Sequence, residues 1–158
     1  MKTDLSIVDM LTRREIEARV VVPLLKAFIK EFGKERTLKI AEGVIQSLAM
    51  ETGIQLAGQF GGNSIAHFVE ALALFMKDNA LQIDVLEQNQ AKWSFNVLRC
   101  RYAEMYRELG VLDFCSLLSC RRDFGTIKGF NSKIELTRTK TLIEGADYCD
   151  FRYKLTEE

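Results

Sequence analysis

Residues 93–100, W-S-F-N-V-L-R-C, and residues 149–153, C-D-F-R-Y, alternate apolar and polar side chains. A period of two is typical of a β-strand with one buried face. In the second segment Cys149, Phe151 and Tyr153 share one face, and Asp150 and Arg152 share the other. The sequence therefore predicts two strands, and these strands bound the most informative part of the chain.

Two further strands are predicted on either side of this pair. Leu81, Ile83 and Val85 alternate with polar residues, and a polar stretch at 88–92 predicts a hairpin loop before Trp93. Residues 133–143 are rich in Thr and Ile and predict a third strand in chain order, before the last strand at 149–155.

Between the central strands the chain predicts short helices and a loop. The helices are expected over 102–109 and 112–118. Residues 121–131 predict a loop or irregular strand, because Gly125 and Gly129 are interpreted as breakers.

The first part of the chain predicts three helices. The first runs from about Asp9 to Phe32, with Pro23 expected to kink or break it, and carries an apolar stripe at every fourth residue: Ile16, Val20, Leu24 and Phe28. The second is expected from about Thr37 to Phe60, and the third begins after Asn63 or Ser64.

These patterns predict an α+β fold in one domain over 1–158. A helical part over about 1–79 forms an N-terminal layer of about three helices. The layer packs on an antiparallel sheet of about four strands in 80–158, with short helices between the second and third strands.

Composition limits the function. Lys and Arg number 22 and so do Asp and Glu, so overall charge indicates neither a nucleic-acid nor an anionic-membrane partner. No apolar run approaches the roughly 20 residues that span a bilayer, and the N-terminus lacks the apolar block of a signal peptide. These features predict a cytoplasmic protein with reduced thiols.

Three of the four cysteines, Cys100, Cys120 and Cys149, lie next to Arg or Asp. Positive charge beside a thiol favours the reactive thiolate, so these residues are candidate nucleophiles. The alternative is that they fill core space, as Cys115 in F-C-S-L-L is expected to do. Zinc binding by these cysteines is an alternative. Structural zinc sites usually contain two cysteines a few residues apart, whereas these are separated by 20 and 29 residues. No metal or other cofactor is therefore predicted.

Asp123 and Asp150 each follow a cysteine closely. Either carboxylate could activate water or bind an amidine nitrogen, or pair with Arg122 or Arg152. His67, the single histidine, lies far from these residues in sequence and would be a general base only if folding brought it to them.

Longer motifs in the same region resemble the L-2-amino-thiazoline-4-carboxylic acid hydrolase family. They are R-C-R-Y-A-E-M-Y-R-E-L-G, S-C-R-R-D-F, G-F-N and L-T-R-T-K-T-L-I-E-G-A-D-Y-C-D-F-R-Y, and R-R-E-I-E-A-R and G-G-N-S are also similar. The chain departs from the family pattern at Arg121, where a small polar residue is common, and at Tyr148, where His is frequent.

The resemblance implies a hydrolase that adds water to the ring carbon between sulfur and nitrogen of a cyclic isothiourea. The carbon–sulfur bond breaks and N-carbamoyl-cysteine results. Such a substrate carries a carboxylate, which Arg recognises well. Arg99, Arg138 and Arg152 are candidates for that contact, with Asn131 as a hydrogen-bonding loop residue, and Cys100, Cys120, Asp123, Cys149 and Asp150 are candidates for catalysis.

Two other functions stay open at this point. The same site could bind a small molecule or sense a metal without turnover. Alternatively, the amphipathic N-terminal helices could form an interaction module, and a homodimer is compatible with every reading.

Overall fold

The computed structural model describes residues 7–156, and within them the fold is α+β, as predicted. Three N-terminal helices come first: α1 Met10–Phe32, α2 Lys34–Gln59 and α3 Ile65–Met76. The strands and later helices follow in the order β1 Leu81–Gln88, β2 Lys92–Cys100, α4 Arg101–Glu108, α5 Arg122–Phe130, β3 Ile134–Thr137 and β4 Cys149–Leu155. Within the described part, no helix is long and apolar enough to cross a membrane.

The sheet is antiparallel with strand order β1-β2-β4-β3, so the two strands of the opening motifs are its central pair. Their register sets Trp93 opposite Tyr153, Phe95 opposite Phe151 and Val97 opposite Cys149. All six side chains are buried on the face that the helices cover. Phe95 and Phe151 stack with ring centroids 5.0 Å apart, so this face is an aromatic wall.

The boundaries of α1 follow local chemistry. Asp9 caps its first turn by accepting a hydrogen bond from the Thr12 backbone N–H at 2.9 Å. The helix then continues through Pro23 to Phe32, and Gly33 alone separates it from α2, with a φ of 86° that favours glycine.

The apolar stripe of α1 lies on its outer side. Ala18, Val22 and Leu25 face the core, whereas Ile16, Val20, Leu24 and Phe28 are about half exposed. The four-residue periodicity therefore identified an amphipathic helix. The face that carries the larger apolar side chains is exposed, and the smaller ones face the core.

The prediction of a loop or irregular strand over 121–131 was wrong, because residues 122–130 form α5. Gly125 and Gly129 are four residues apart and face α2 rather than breaking the helix. A Cβ on Gly129 would lie 2.0 Å from the Met50 carbonyl oxygen, and one on Gly53 of α2 would lie 2.1 Å from the Thr126 carbonyl oxygen. The glycines therefore allow two helix backbones to touch.

The prediction of a strand over 133–143 holds only for Ile134–Thr137. Beyond Thr137 the chain leaves the sheet, because the Asp150 carboxylate accepts hydrogen bonds from the backbone N–H groups of Thr139 and Lys140. The predicted helix over 112–118 is a 3₁₀ turn at Leu112–Phe114 followed by a π-helical turn at Ser116–Cys120.

Buried apolar side chains form two clusters. One contains the aromatic wall with α3, α5 and the end of α2. The other contains α1, α4, the start of α2 and the segment that includes Cys115 and Leu118. Cys100 packs against both clusters, so it marks the place where they meet.

Candidate functional site

A cavity of about 80 Å³ lies where the two clusters meet. Its apolar walls include Phe95, Phe151 and Tyr153 of the sheet together with Phe68 and Leu72 of α3. By volume it has room for roughly five to eight water-sized groups. This is well below the roughly 300–1,000 Å³ of drug-sized pockets, so any occupant is small.

Cys100, Cys120 and Cys149 all border this cavity, which the sequence spacing could not show. β2 ends at Cys100, β4 begins at Cys149, and Cys120 closes the π-helical turn before α5. The sheet register brings Cys100 and Cys149 together. Cys149 pairs with Val97, which lies three residues before Cys100 on β2.

The surroundings of all three thiols favour the neutral form. Burial raises the pKa of Cys100 to about 12, and burial also raises that of Cys149. The Cys115 thiol, with its sulfur 4.0 Å from that of Cys120, raises the pKa of Cys120 far above its ordinary value, and burial adds to the effect. Neighbouring arginines therefore do not produce a thiolate in this cavity.

Asp123 and Arg138 form an ion pair that also borders the cavity. Arg138 donates to the Asp123 carboxylate at 2.5 Å and to the Cys120 carbonyl oxygen at 2.9 Å, and its guanidinium lies over the rings of Phe124 and Phe151. The Arg138 side chain is 6% exposed and that of Asp123 is 32% exposed. Asp123 thus borders the cavity with a partly exposed side chain.

The pKa values of Asp123 and Arg138 are both raised, but for different reasons. Burial raises the pKa of Asp123, although Arg138 acts in the opposite direction. Burial alone would lower the pKa of Arg138, but Asp123 and the thiols outweigh it and the pKa is raised. A carboxylate whose pKa is raised by burial, beside a cation that stays charged, is a candidate general base.

A second ionic cluster closes another wall of the cavity. The Glu17 carboxylate accepts hydrogen bonds from Arg14 at 2.7 Å and from Arg122 at 3.0 Å. Arg122 also donates to the Leu118 carbonyl oxygen at 2.8 Å. Both arginines are buried and border the cavity. Burial lowers the pKa of Arg122, and the charge of Arg14 lowers it further.

The charges around the cavity do not cancel. Among the described residues that border it, Arg14, Arg122 and Arg138 are cations, whereas only Asp123 is a carboxylate. Glu17, behind the two arginines, balances one more positive charge. Among these charged groups, one guanidinium charge is left without a carboxylate to balance it.

Four residues predicted for the site lie outside the cavity. Asp150 accepts hydrogen bonds from Thr139 and Lys140. Burial acts to raise its pKa, but these hydrogen bonds outweigh burial and the pKa is lowered. The other three have partners elsewhere: Arg99 pairs with Glu104, Asn131 donates to the Asn63 carbonyl, and Arg152 donates to the Phe95 carbonyl and Asn96. His67 does not border the cavity either, and contacts Ser64 Oγ at 2.7 Å.

Sequence reasoning missed Arg14 and Arg122 as residues of the cavity. Both lie in motifs that carry the family resemblance, R-R-E near the N-terminus and S-C-R-R-D-F, but only folding shows that they meet at Glu17. The described residues contain no group of three His, Cys, Asp or Glu side chains that could hold a metal ion.

The protein is therefore an α+β protein with thiols and guanidinium groups around one cavity. The family model described as L-2-amino-thiazoline-4-carboxylic acid hydrolase matches residues 13–153, and the chain belongs to this family. The resemblance drawn from the motifs is therefore confirmed.

Solved structures share the fold at low identity. A trafficking protein particle complex subunit 3 from Naegleria fowleri, covalently bound to palmitic acid, is 16% identical, with 92% of this chain and 96% of that chain covered and a TM-score of 0.52. The phenol-responsive sensory domain of the transcription activator PoxR is 12% identical, with 98% and 76% covered and a TM-score of 0.50. No curated protein matches the chain.

Proposed function

We propose that the protein is a hydrolase that adds water to the C=N carbon of a small cyclic isothiourea or amidine carboxylate. Membership of the family supports a hydrolase-like activity. The observation that carries the proposal is the surplus of guanidinium over carboxylate groups around the cavity, together with Asp123 on its wall.

Asp123 is proposed as the general base. Its raised pKa, its partly exposed side chain and its place on the cavity wall suit a carboxylate that takes a proton from water. Arg138 holds the carboxylate in one orientation, because it donates to Asp123 and to the Cys120 carbonyl at once. Water attacks the carbon and the ring nitrogen gains a proton. The carbon–sulfur bond then breaks, and the sulfur leaves as a thiol while the new hydroxyl becomes a carbonyl.

Arg14 and Arg122 are proposed to bind the substrate carboxylate. They share the single carboxylate of Glu17, so a second anion would be electrostatically favoured between them. Of the three arginines predicted from the sequence, Arg138 borders the cavity. Its guanidinium already donates hydrogen bonds to Asp123 and to the Cys120 carbonyl oxygen. The anchor is therefore assigned to the pair from α1 and α5.

The cysteines are proposed to shape the cavity rather than attack the substrate. Each has a raised pKa, so thiolate is scarce at neutral pH. This assignment differs from the sequence-based hypothesis of a cysteine nucleophile, which depended on activation by adjacent arginines.

The test is turnover of 2-amino-thiazoline-4-carboxylate, followed by the release of free thiol. We expect Asp123→Asn to lower kcat by about 100-fold or more, the usual size of a lost general base. Arg122→Gln should raise KM by about tenfold, since a hydrogen bond to a charged group is worth ~1.5–3 kcal/mol. Arg99→Gln is the matched control, because Arg99 pairs with Glu104 away from the cavity.

The cysteines separate this mechanism from a thiolate mechanism. Cys100→Ser, Cys120→Ser and Cys149→Ser should each keep more than about a tenth of the kcat if water is the nucleophile, because a general base alone accounts for larger effects. Loss of all turnover in a variant that keeps the native circular dichroism spectrum would identify that cysteine as the nucleophile and overturn the role of Asp123.

Ligand binding without turnover is the second candidate. The raised pKa values of the thiols and the position of His67 outside the cavity wall favour it, because neither supplies a ready nucleophile or base. Calorimetric binding of the carboxylate without thiol release, abolished by Arg122→Gln, would support this candidate over the hydrolase.

A further inference from the structure

A broad apolar surface covers the outer side of α1 and α2. On α1 it contains Ile16, Val20, Leu24, Phe28 and Phe32, and on α2 it contains Ile40, Val44 and Leu48. We call these eight residues the α1/α2 face. Their exposed fractions range from 44% to 62%, although they are large and apolar.

We propose that the α1/α2 face is the interface of a homodimer of this chain. Half-exposed side chains of this kind contribute about 100 Å² each, so the face presents on the order of 800 Å² of apolar surface. A stable protein interface buries ≈ 800 Å² per partner. Apolar patches above a few hundred Å² on a protein surface mark interaction sites.

The shape of the face fits a second copy of itself. A groove of about 570 Å³ runs between the two helices, with Phe28, Ile40 and Val44 on its walls. Ile16, Val20 and Leu24 lie beside the groove without lining it, and they form a ridge of residues four apart. Ridges of this spacing pack into the grooves of other helices. One surface that carries both a ridge and a groove meets the requirement of a two-fold interface.

The charges of the groove also favour a second copy over a lipid surface. The groove is bordered by one acid, Glu17, and two bases, Arg36 and Arg122. Of the two bases that border the groove, Arg122 already pairs with Glu17, so the groove lacks the cluster of about four or more bases that attracts anionic lipid headgroups. The partner is therefore expected to be a second copy of this chain.

Sedimentation velocity of the full chain at micromolar concentrations tests the proposal. The wild-type protein is expected to sediment as a dimer. Val20→Lys on the ridge and Val44→Lys in the groove should each weaken self-association at least tenfold. Both valines are more than half exposed, so the variants should keep the native circular dichroism spectrum.

Leu86→Lys is the matched control. Leu86 is 53% exposed on β1, an edge strand that could pair with another sheet, and it lies outside the face. It should leave the dimer unchanged. A monomeric wild-type protein, a dimer that survives both valine variants, or a dimer that Leu86→Lys dissociates would each overturn the proposal. So would a monomer that floats with phosphatidylcholine vesicles, because the face would then bind lipid.

Discussion

Asp123 and Asp150 show how far residue-level reasoning reaches. Both follow a cysteine closely, and both were candidates for the same chemistry. Asp123 borders the cavity and has a raised pKa, whereas Asp150 bonds to the chain after β3 and has a lowered pKa. Sequence proximity to a cysteine does not determine which groups surround a carboxylate, because those groups come from other elements.

Asp150→Asn is expected to destabilise the fold by about 1–3 kcal/mol, because the amide cannot accept all the hydrogen bonds that the buried carboxylate accepts. Asp147→Asn, in the exposed turn before β4, should change the free energy of unfolding by less than about 0.5 kcal/mol. Urea unfolding at neutral pH measures both values. Equal stability of the two variants would contradict the capping role of Asp150.

The effect of Asp150→Asn should depend on pH. The folded-state pKa of Asp150 is lowered, so its contribution is complete above the unfolded-state pKa of about 3.9 and is lost as pH falls through the folded-state value. The difference in unfolding free energy between wild type and variant should therefore be largest at neutral pH and shrink below about pH 4. A difference that grew on acidification would have the wrong sign for a stabilising carboxylate.

The thiols give a second pH-dependent prediction. Because the pKa values of Cys100 and Cys149 are raised, iodoacetamide should label both slowly at neutral pH and faster as pH rises beyond the range of a free cysteine. Mass spectrometry of native and urea-unfolded protein across the pH range measures the two rates, with the unfolded chain as control. Native labelling as fast as unfolded labelling at neutral pH would indicate an activated thiolate.

At the scale of single elements, periodicity identified most helices and strands. Cys149–Leu155 was predicted with its correct boundaries, and α1 was predicted to within one residue. The failures have physical causes. α5 was missed because glycine is a breaker only where nothing packs closely against it, and Gly125 and Gly129 are in contact with α2. Periodicity also could not show which side of α1 faces the core, because that depends on the neighbours.

The contact between α2 and α5 predicts opposite effects for two glycine substitutions. Gly53→Ala should destabilise the protein by roughly 1–3 kcal/mol or more, because the added Cβ would overlap the Thr126 carbonyl oxygen and force the helices apart. Gly58→Ala lies in open space on the same helix and should be neutral or stabilise the protein by up to about 1 kcal/mol, since alanine favours helix. Thermal and urea unfolding test the pair, and destabilisation by both would show that helix contact is not the cause.

At the scale of the whole molecule, the cavity and the α1/α2 face are linked through Glu17. Its carboxylate borders the groove and binds Arg14 and Arg122, which border the cavity. The sequence contained the residues of both sites, but the convergence of α1, α5 and the central strands around one cavity depends on tertiary packing. This is why the sequence pattern could suggest three cysteines and Arg138 as neighbours but not Arg14 and Arg122, which also border the cavity.

The proposed dimer makes a prediction about stability across the molecule. Backbone amides in α1 and in the first half of α2 should exchange hydrogen more slowly as protein concentration rises, because a second copy would cover these helices and oppose their local opening. Amides of β2 and β4 that exchange by local opening should not change with concentration, because these strands lie in the other apolar cluster. Hydrogen exchange followed by mass spectrometry at two concentrations measures both regions, and Val20→Lys should remove the concentration dependence in α1. Slowing in β1 instead would indicate association through the sheet edge and contradict the proposed interface.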